Sequence, residues 1–136
     1  MSVLHVELHS FSYKKGGIPK DPTGNGGGFA FDCRGILNPG RIDEYKSMTG
    51  AQLPVAEFLE TQTRMPEFLT AIHNAVSITI EDYLSRDFKH LQINFGCTGG
   101  QHRSVYATIT TAQYLKQKYP ELEISVHHDE QPHLNV

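Results

Sequence analysis

Two cysteines in a chain of 136 residues are too few for a disulfide framework. A reduced, cytoplasmic setting is therefore expected. No apolar run approaches the roughly 20 residues of a membrane span, so no membrane partner is expected. The stretch Met1 to Glu7 has no basic segment leading into an apolar one, which argues against a secretory leader. A basic excess is missing too. The net charge is −3 with histidines neutral, unlike a general nucleic-acid binder, although a local basic patch stays open. The eight histidines follow no zinc spacing. Their densest group, His127-His128-Asp129 with His133 further on, reads as a solvated tail rather than a metal site. Neither a metal nor a cofactor is expected.

What is present is ordinary globular composition, 38% hydrophobic and 20% charged, in a length suited to one domain with its own core. Val3 to His9 alternates as a strand, with Leu4, Val6 and Leu8 on one face and His5, Glu7 and His9 on the other. A loop rich in glycine and proline runs from Lys14 through Gly28, long enough to be either functional or a plain surface connection. Phe29 to Arg34 reads as a second strand, with Asp32 and Arg34 sharing a face. Pro54 to Gln62 suits a short helix and Pro66 to about Ser85 a longer one. His90 to Phe95 alternates as a third strand. His102 to Lys118 has helical spacing and stops at Pro120, and Leu122 to Val126 marks a fourth strand.

Strand, turn, helix and strand in succession imply a right-handed crossover, so part of the sheet must be parallel. The fold class expected is α/β: a single domain with about four strands in a mixed or partly parallel sheet, two longer helices and one short one. Clean alternation implies one buried sheet face, with the polar face partly covered by loops or a partner subunit.

The chemistry concentrates in Cys97-Thr98-Gly99-Gly100-Gln101-His102-Arg103-Ser104, the turn from the third strand into the last long helix. Such a turn directs unpaired backbone N–H groups outward at the positive end of a helix dipole. Glycines permit close approach of a ligand, and Arg103 adds a planar fork for phosphate or carboxylate. The parts make an anion cradle. Gly99, Gly100 and Gln101 would supply amides, Arg103 and Arg34 charge, and Asp32, Thr98 and His102 polar selectivity. Ser104 and Thr98 also suit helix capping. Asp32 with Arg34 has two readings, a structural ion pair or part of the pocket. So have Lys14, Lys15 and Lys20, as solvated loop cations or as contacts to a phosphorylated ligand or RNA backbone.

Cys97, five residues, Arg103 and Ser104 also spell the pattern of cysteine phosphatases, with Asp32 as the conceivable general acid. Gly96 stands where those enzymes usually have histidine, and the loop holds no acid. Binding without a nucleophile is the preferred reading, and no catalytic residue is assigned.

The run Gly96 to Tyr106 resembles the signature of the C-terminal domain of RapZ-type proteins, the RNase adapter family. Ser10-Phe11 with Lys14 and Gly17-Ile18-Pro19, Phe31-Asp32 with Arg34, Asn38-Pro39, Thr49-Gly50, Pro54-Val55 and Phe58-Leu59 agree with it. The resemblance covers nearly the whole chain. It implies a domain that senses glucosamine-6-phosphate, binds small regulatory RNAs and supports homo-oligomers. The family's P-loop domain is expected to be missing, since no Gly-x-x-x-x-Gly-Lys-[Ser/Thr] occurs in the sequence. The resemblance places Asp32, Arg34, Cys97, Thr98, Gly99, Gly100, His102 and Arg103 in the sugar-phosphate pocket. Two departures stand out. Gly40 replaces the histidine usual after Asn-Pro, and a His-, Asp- and Glu-containing end replaces a basic one, which speaks against RNA.

Overall fold

Apolar alternation at Leu4, Val6 and Leu8 continues into an uninterrupted buried run, so the first strand reaches further than its pattern predicts. In the computed structural model, which describes residues 3–25 and 27–136, β1 spans His5–Ser12. Met1, Ser2 and Gly26, which entered the leader and loop readings, lie outside the described residues. β2 is Gly28–Asp32, β3 His90–Cys97 and β4 Glu123–His128. The helices are α1, Leu53–Gln62; α2, Met65–Ser85; and α3, Arg103–Lys118.

The sheet order is β2-β3-β1-β4, and every pairing is parallel. The expected mixed character is corrected: no strand returns by a tight hairpin, because each connection is a crossover. Two of them, β2 to β3 and β3 to β4, move across the sheet in the same direction. Right-handedness puts α1, α2 and α3 on one face. There Val6, Leu8, Leu91, Ile93 and Phe95 pack with Leu59, Ile72, Val76, Ile80 and Leu115 in a single core.

The connection from β1 to β2 moves the opposite way, so the same handedness sends it over the other face. The loop 13–27 is that connection. Asp21 organises it, its carboxylate accepting from the Thr23 amide at 2.9 Å, the Thr23 hydroxyl at 2.6 Å and the Gly27 amide at 2.9 Å. Those bonds, the Thr23 hydroxyl foremost, hold the Asp21 carboxyl down to about 2. The loop covers β3, so Gln92 and Asn94 are buried although they point away from the helices. Gln92 donates to the Asn94 side chain at 3.1 Å, and Asn94 donates to the Phe29 carbonyl at 3.0 Å. A polar alternation thus sits in a strand buried on both faces.

Two more expectations need correction. The strand expected through Arg34 ends at Asp32, because the Asp32 carboxylate accepts the Arg34 amide at 2.9 Å and starts a 3₁₀ turn at Cys33–Gly35. The supposed solvated tail is also structured. His127 and His128 belong to β4, and the Val126 and Val136 backbones bond reciprocally at 3.0 Å. His128 is 1% exposed, its Nδ1 lies 2.6 Å from the Ser10 hydroxyl, and its Nε2 is buried without a partner. Among the described residues no helix is long and apolar enough to cross a membrane.

Burial pulls the His128 imidazole down to about 4. Burial also lowers His73 and His102, while His9, paired with carboxylates against its own desolvation, is raised. For a depressed histidine the unfolded chain binds the extra proton, so stability is lost as pH falls from about 6.5 towards 4. Urea unfolding followed from pH 7 to pH 4.5 is expected to show a loss of about 2–3 kcal/mol from His128. The His128→Asn variant should flatten that slope, whatever its stability at pH 7.

Candidate functional site

The C-terminal ends of β2 and β3 lie side by side, with Asp32 opposite Gly96, so the two polar groups singled out in the sequence share one edge of the sheet. From Cys97 the chain turns through Thr98–His102 into α3. Gly100 takes a left-handed φ of 67°, a conformation suited to glycine. None of the amides from Gly99 to Arg103 donates to an acceptor among the described residues. His102 precedes the helix without a side-chain cap. These donors are the orphan groups of a helix start.

A second segment builds the opposite wall. The Gln101 side chain donates to the carbonyls of Lys46 at 2.8 Å and Met48 at 2.7 Å, and the Gly50 amide donates to the Gln101 carbonyl at 2.9 Å. Gln101 therefore keeps its backbone N–H for a ligand, while its side chain is committed to the fold. His102 Nε2 donates to the Tyr45 carbonyl at 2.8 Å. Burial lowers its pKa, so the ring is neutral at pH 7 and its Nδ1 is an acceptor.

The result is a hollow of about 240 Å³. Asn38, Gly40 and Lys46 line it on one side, and Cys97, Thr98, Gly99, Gln101, His102 and Arg103 on the other. Gly40 lies against the His102 ring, where a Cβ would come within 3.3 Å of Nδ1, so its lack of a side chain leaves room for that acceptor. Lys46 was not anticipated. It pairs with Asp43 three residues earlier at 2.8 Å, an exposed surface pair with no motif to flag it. Asn38 entered the sequence reading only through the Asn38-Pro39 pair of the family likeness; its side chain accepts from the Gly40 amide at 2.8 Å.

Of the other residues singled out in the sequence, Arg103 lines this hollow, and Asp32, Arg34, Gly100, Ser104, Lys14, Lys15 and Lys20 do not. Arg103 is 5% exposed and donates through Nη1 to the carbonyls of Arg34 at 3.1 Å and Ile36 at 2.8 Å, while its Nε is buried and unpartnered. It ties the end of β2 to the helix mouth and brings positive charge to the amides. Ser104 lies beneath, its hydroxyl 3.1 Å from the Cys97 sulfur. Asp32 and Arg34 form the ion pair that was one of their two readings, with Arg34 Nη2 and Nε at 2.7 and 2.9 Å from the carboxylate oxygens. Arg34 also stacks 4.0 Å over the Tyr13 ring. The pair borders the hollow without lining it. The Arg34 guanidinium holds the Asp32 carboxyl below its usual range, the reverse of what a general acid needs.

Both thiols are buried, and burial pushes the Cys33 thiol up. Lys14 and Lys15 are exposed in the turn after β1, their amides donating to the Ser12 hydroxyl at 3.2 and 3.1 Å. Lys20 lines a different hollow, with Asp21 and Asn94, under the loop 13–27.

Gly50 fixes how closely the second wall meets the helix mouth: a Cβ there would stand 2.1 Å from the His102 carbonyl oxygen and 2.5 Å from the Tyr106 nitrogen. Both are backbone atoms and cannot swing aside. Gly50→Ala is expected to destabilise the fold by about 1–3 kcal/mol, the usual range for overpacking, measured by urea unfolding.

Comparison with known proteins shows the family. The family model of the RapZ C-terminal domain matches residues 4–132. A nucleotide-binding protein of Bifidobacterium adolescentis is 37% identical over 117 residues, which are 86% of this chain and 36% of that protein. A nucleotide-binding protein of Pasteurella multocida is 34% identical over 121 residues, 89% of this chain and 40% of that protein. One from Endomicrobium trichonymphae is 34% identical over 115 residues, 85% of this chain and 38% of that protein. The chain thus spans roughly two-fifths of the length of these relatives. By the extent of that match, the chain belongs to the RapZ C-terminal domain family.

Proposed function

We propose that this domain binds a phosphorylated small molecule, of the amino-sugar phosphate class, at the mouth of α3. The observation that carries the reading is that Gly99, Gln101, His102 and Arg103, whose amides donate to no acceptor among the described residues, line one hollow together with Lys46. Phosphate oxygens would accept from those amides and from Lys46. The other end of the ligand needs donors, because His102 Nδ1 is an acceptor; hydroxyl and ammonium groups supply them. A hollow of about 240 Å³ is near the small end of ligand sites and suits one sugar ring with its phosphate.

The printed names of the relatives speak of nucleotides, but those proteins are more than twice as long as the matched segment. This sequence holds no phosphate-binding Gly-x-x-x-x-Gly-Lys-[Ser/Thr] loop to which such binding could be transferred. RNA is less favoured. Lys20 lies on the loop over one face of the sheet and Lys116 on α3 over the other, so these lysines do not join into one stripe.

Titration calorimetry with glucosamine-6-phosphate, glucose-6-phosphate and inorganic phosphate tests the proposal. Saturable binding of the amino-sugar phosphate is expected, weakened about tenfold in Lys46→Ala, the order expected for one charge-assisted contact. That residue is exposed, so the variant should keep its thermal midpoint. No heat from any sugar phosphate at millimolar concentration overturns the reading.

A further inference from the structure

The side of the sheet away from the helices is covered only in part. The loop 13–27 lies over β2 and β3, and the half formed by β1 and β4 carries its own polar surface. On β1, His5, Glu7 and His9 sit at alternate positions and face outward together. The register places His90 opposite His5 and His127 opposite His9. Three of the eight histidines of the chain, His9, His90 and His127, therefore gather around the carboxylate of Glu7, and His5 stands edge-on to His90.

The contacts are close. Glu7 Oε2 lies 2.6 Å from His9 Nε2, and Glu7 Oε1 lies 3.6 Å from His90 Nε2. The other nitrogen of His9, Nδ1, lies 3.1 Å from Asp129 Oδ1. The His127 ring stacks on His9 with centroids 4.8 Å apart, and its Nε2 lies 3.2 Å from the Ser125 hydroxyl. One donor atom each from Glu7, His9 and His127 falls within 4.8 Å of the others. His90 Nδ1 is buried with no partner at the edge of the same cluster. The side chains of His9 and Glu7 are only 13% and 17% exposed, so they are held by their surroundings rather than waving in water.

We propose that Glu7, His9 and His127 form a binding site for one divalent transition-metal ion of the zinc class. Two imidazoles and one carboxylate are the donors that such an ion takes. Tetrahedral coordination at bond lengths of about 2.0–2.1 Å asks for donors roughly 3.3 Å apart. The donor atoms, now within 4.8 Å of one another, would have to reach that spacing by side-chain rotation. The ion would take the place of the hydrogen bond between Glu7 and His9. Asp129 then stands behind His9 as the outer carboxylate that fixes the tautomer and turns Nε2 towards the metal. Three protein donors leave a fourth position for water or a ligand. Because Asp129 also donates its amide to the Ser10 carbonyl at 2.9 Å, a metal here would fasten the end of β4 to β1.

The site is independent of the anion hollow, and its test uses tag-free protein stripped with a chelator. Zn²⁺ alone is titrated at pH 7.5 by competition with a chromophoric chelator, and Co²⁺ absorption reports the coordination. One equivalent bound at micromolar affinity or tighter is expected, with visible bands of low-coordinate Co²⁺. Glu7→Gln and His127→Ala should each weaken binding at least about tenfold, and Asp129→Asn by a similar factor through His9. His133→Ala, outside the cluster, should bind as the parent does. Circular dichroism and the thermal midpoint of each apo variant separate lost ligation from lost folding. Wild-type protein that binds Zn²⁺ only at millimolar levels overturns the proposal. So does parental affinity retained in folded Glu7→Gln and His127→Ala, which would place the metal elsewhere.

Discussion

Four parallel strands put all their C-terminal ends along one edge, and that constraint governs the rest of the molecule. Each strand must be reached by a crossover, and each crossover must choose a face by its direction and handedness. Both helix-bearing connections run the same way and share a face. The one connection that runs back crosses the other face as a loop. From this follow the position of the core, the burial of Gln92 and Asn94, and the half-covered sheet that leaves the Glu7 histidines together.

The same constraint builds the hollow at the mouth of α3. With the ends of β2 and β3 adjacent, Arg103 at the start of α3 reaches the carbonyls of Arg34 and Ile36, and the helix mouth is anchored before any ligand arrives. The segment from Tyr45 to Gly50 is stitched to Gln101 and His102 by four hydrogen bonds, three of them from the loop's side chains. The loop's contacts to the wall are made by its side chains and by the Gln101 carbonyl, none of them by its amides. Electrostatics agree: a buried guanidinium, an exposed ammonium and the positive end of a helix dipole converge, while Asp32 is neutralised by Arg34.

The cysteine loop illustrates how one pattern serves two chemistries. Cys97 and Arg103 have the spacing of a phosphatase, yet the Cys97 sulfur is buried against Ser104 and the candidate acid is held ionised. What such a loop contributes without a nucleophile is geometry: donors fixed in advance on a rigid strand and helix. The histidine cluster on the far face is fixed in the same manner, by alternation along β1 and register with its neighbours.

Local features were legible in the sequence. Alternation located the strands, the helical stripes located α1, α2 and α3, and the glycine-rich turn at Gly99 and Gly100 located the anion loop, since each depends on neighbours within a few residues. The family likeness was legible for the same reason. Register, crossover direction and burial were not, because they depend on residues far apart in the chain. Hence His127 and His128, read as tail, extended β4 beyond its expected end at Val126, and the alternation of β3 concealed a strand buried on both faces. Lys46 joined a site some 50 residues away, and His127 came to lie beside Glu7 and His9, about 120 residues back in the chain. Sequence alone determined which residues stand at the helix mouth, because they are neighbours in the chain; only the parallel sheet decided which others meet them.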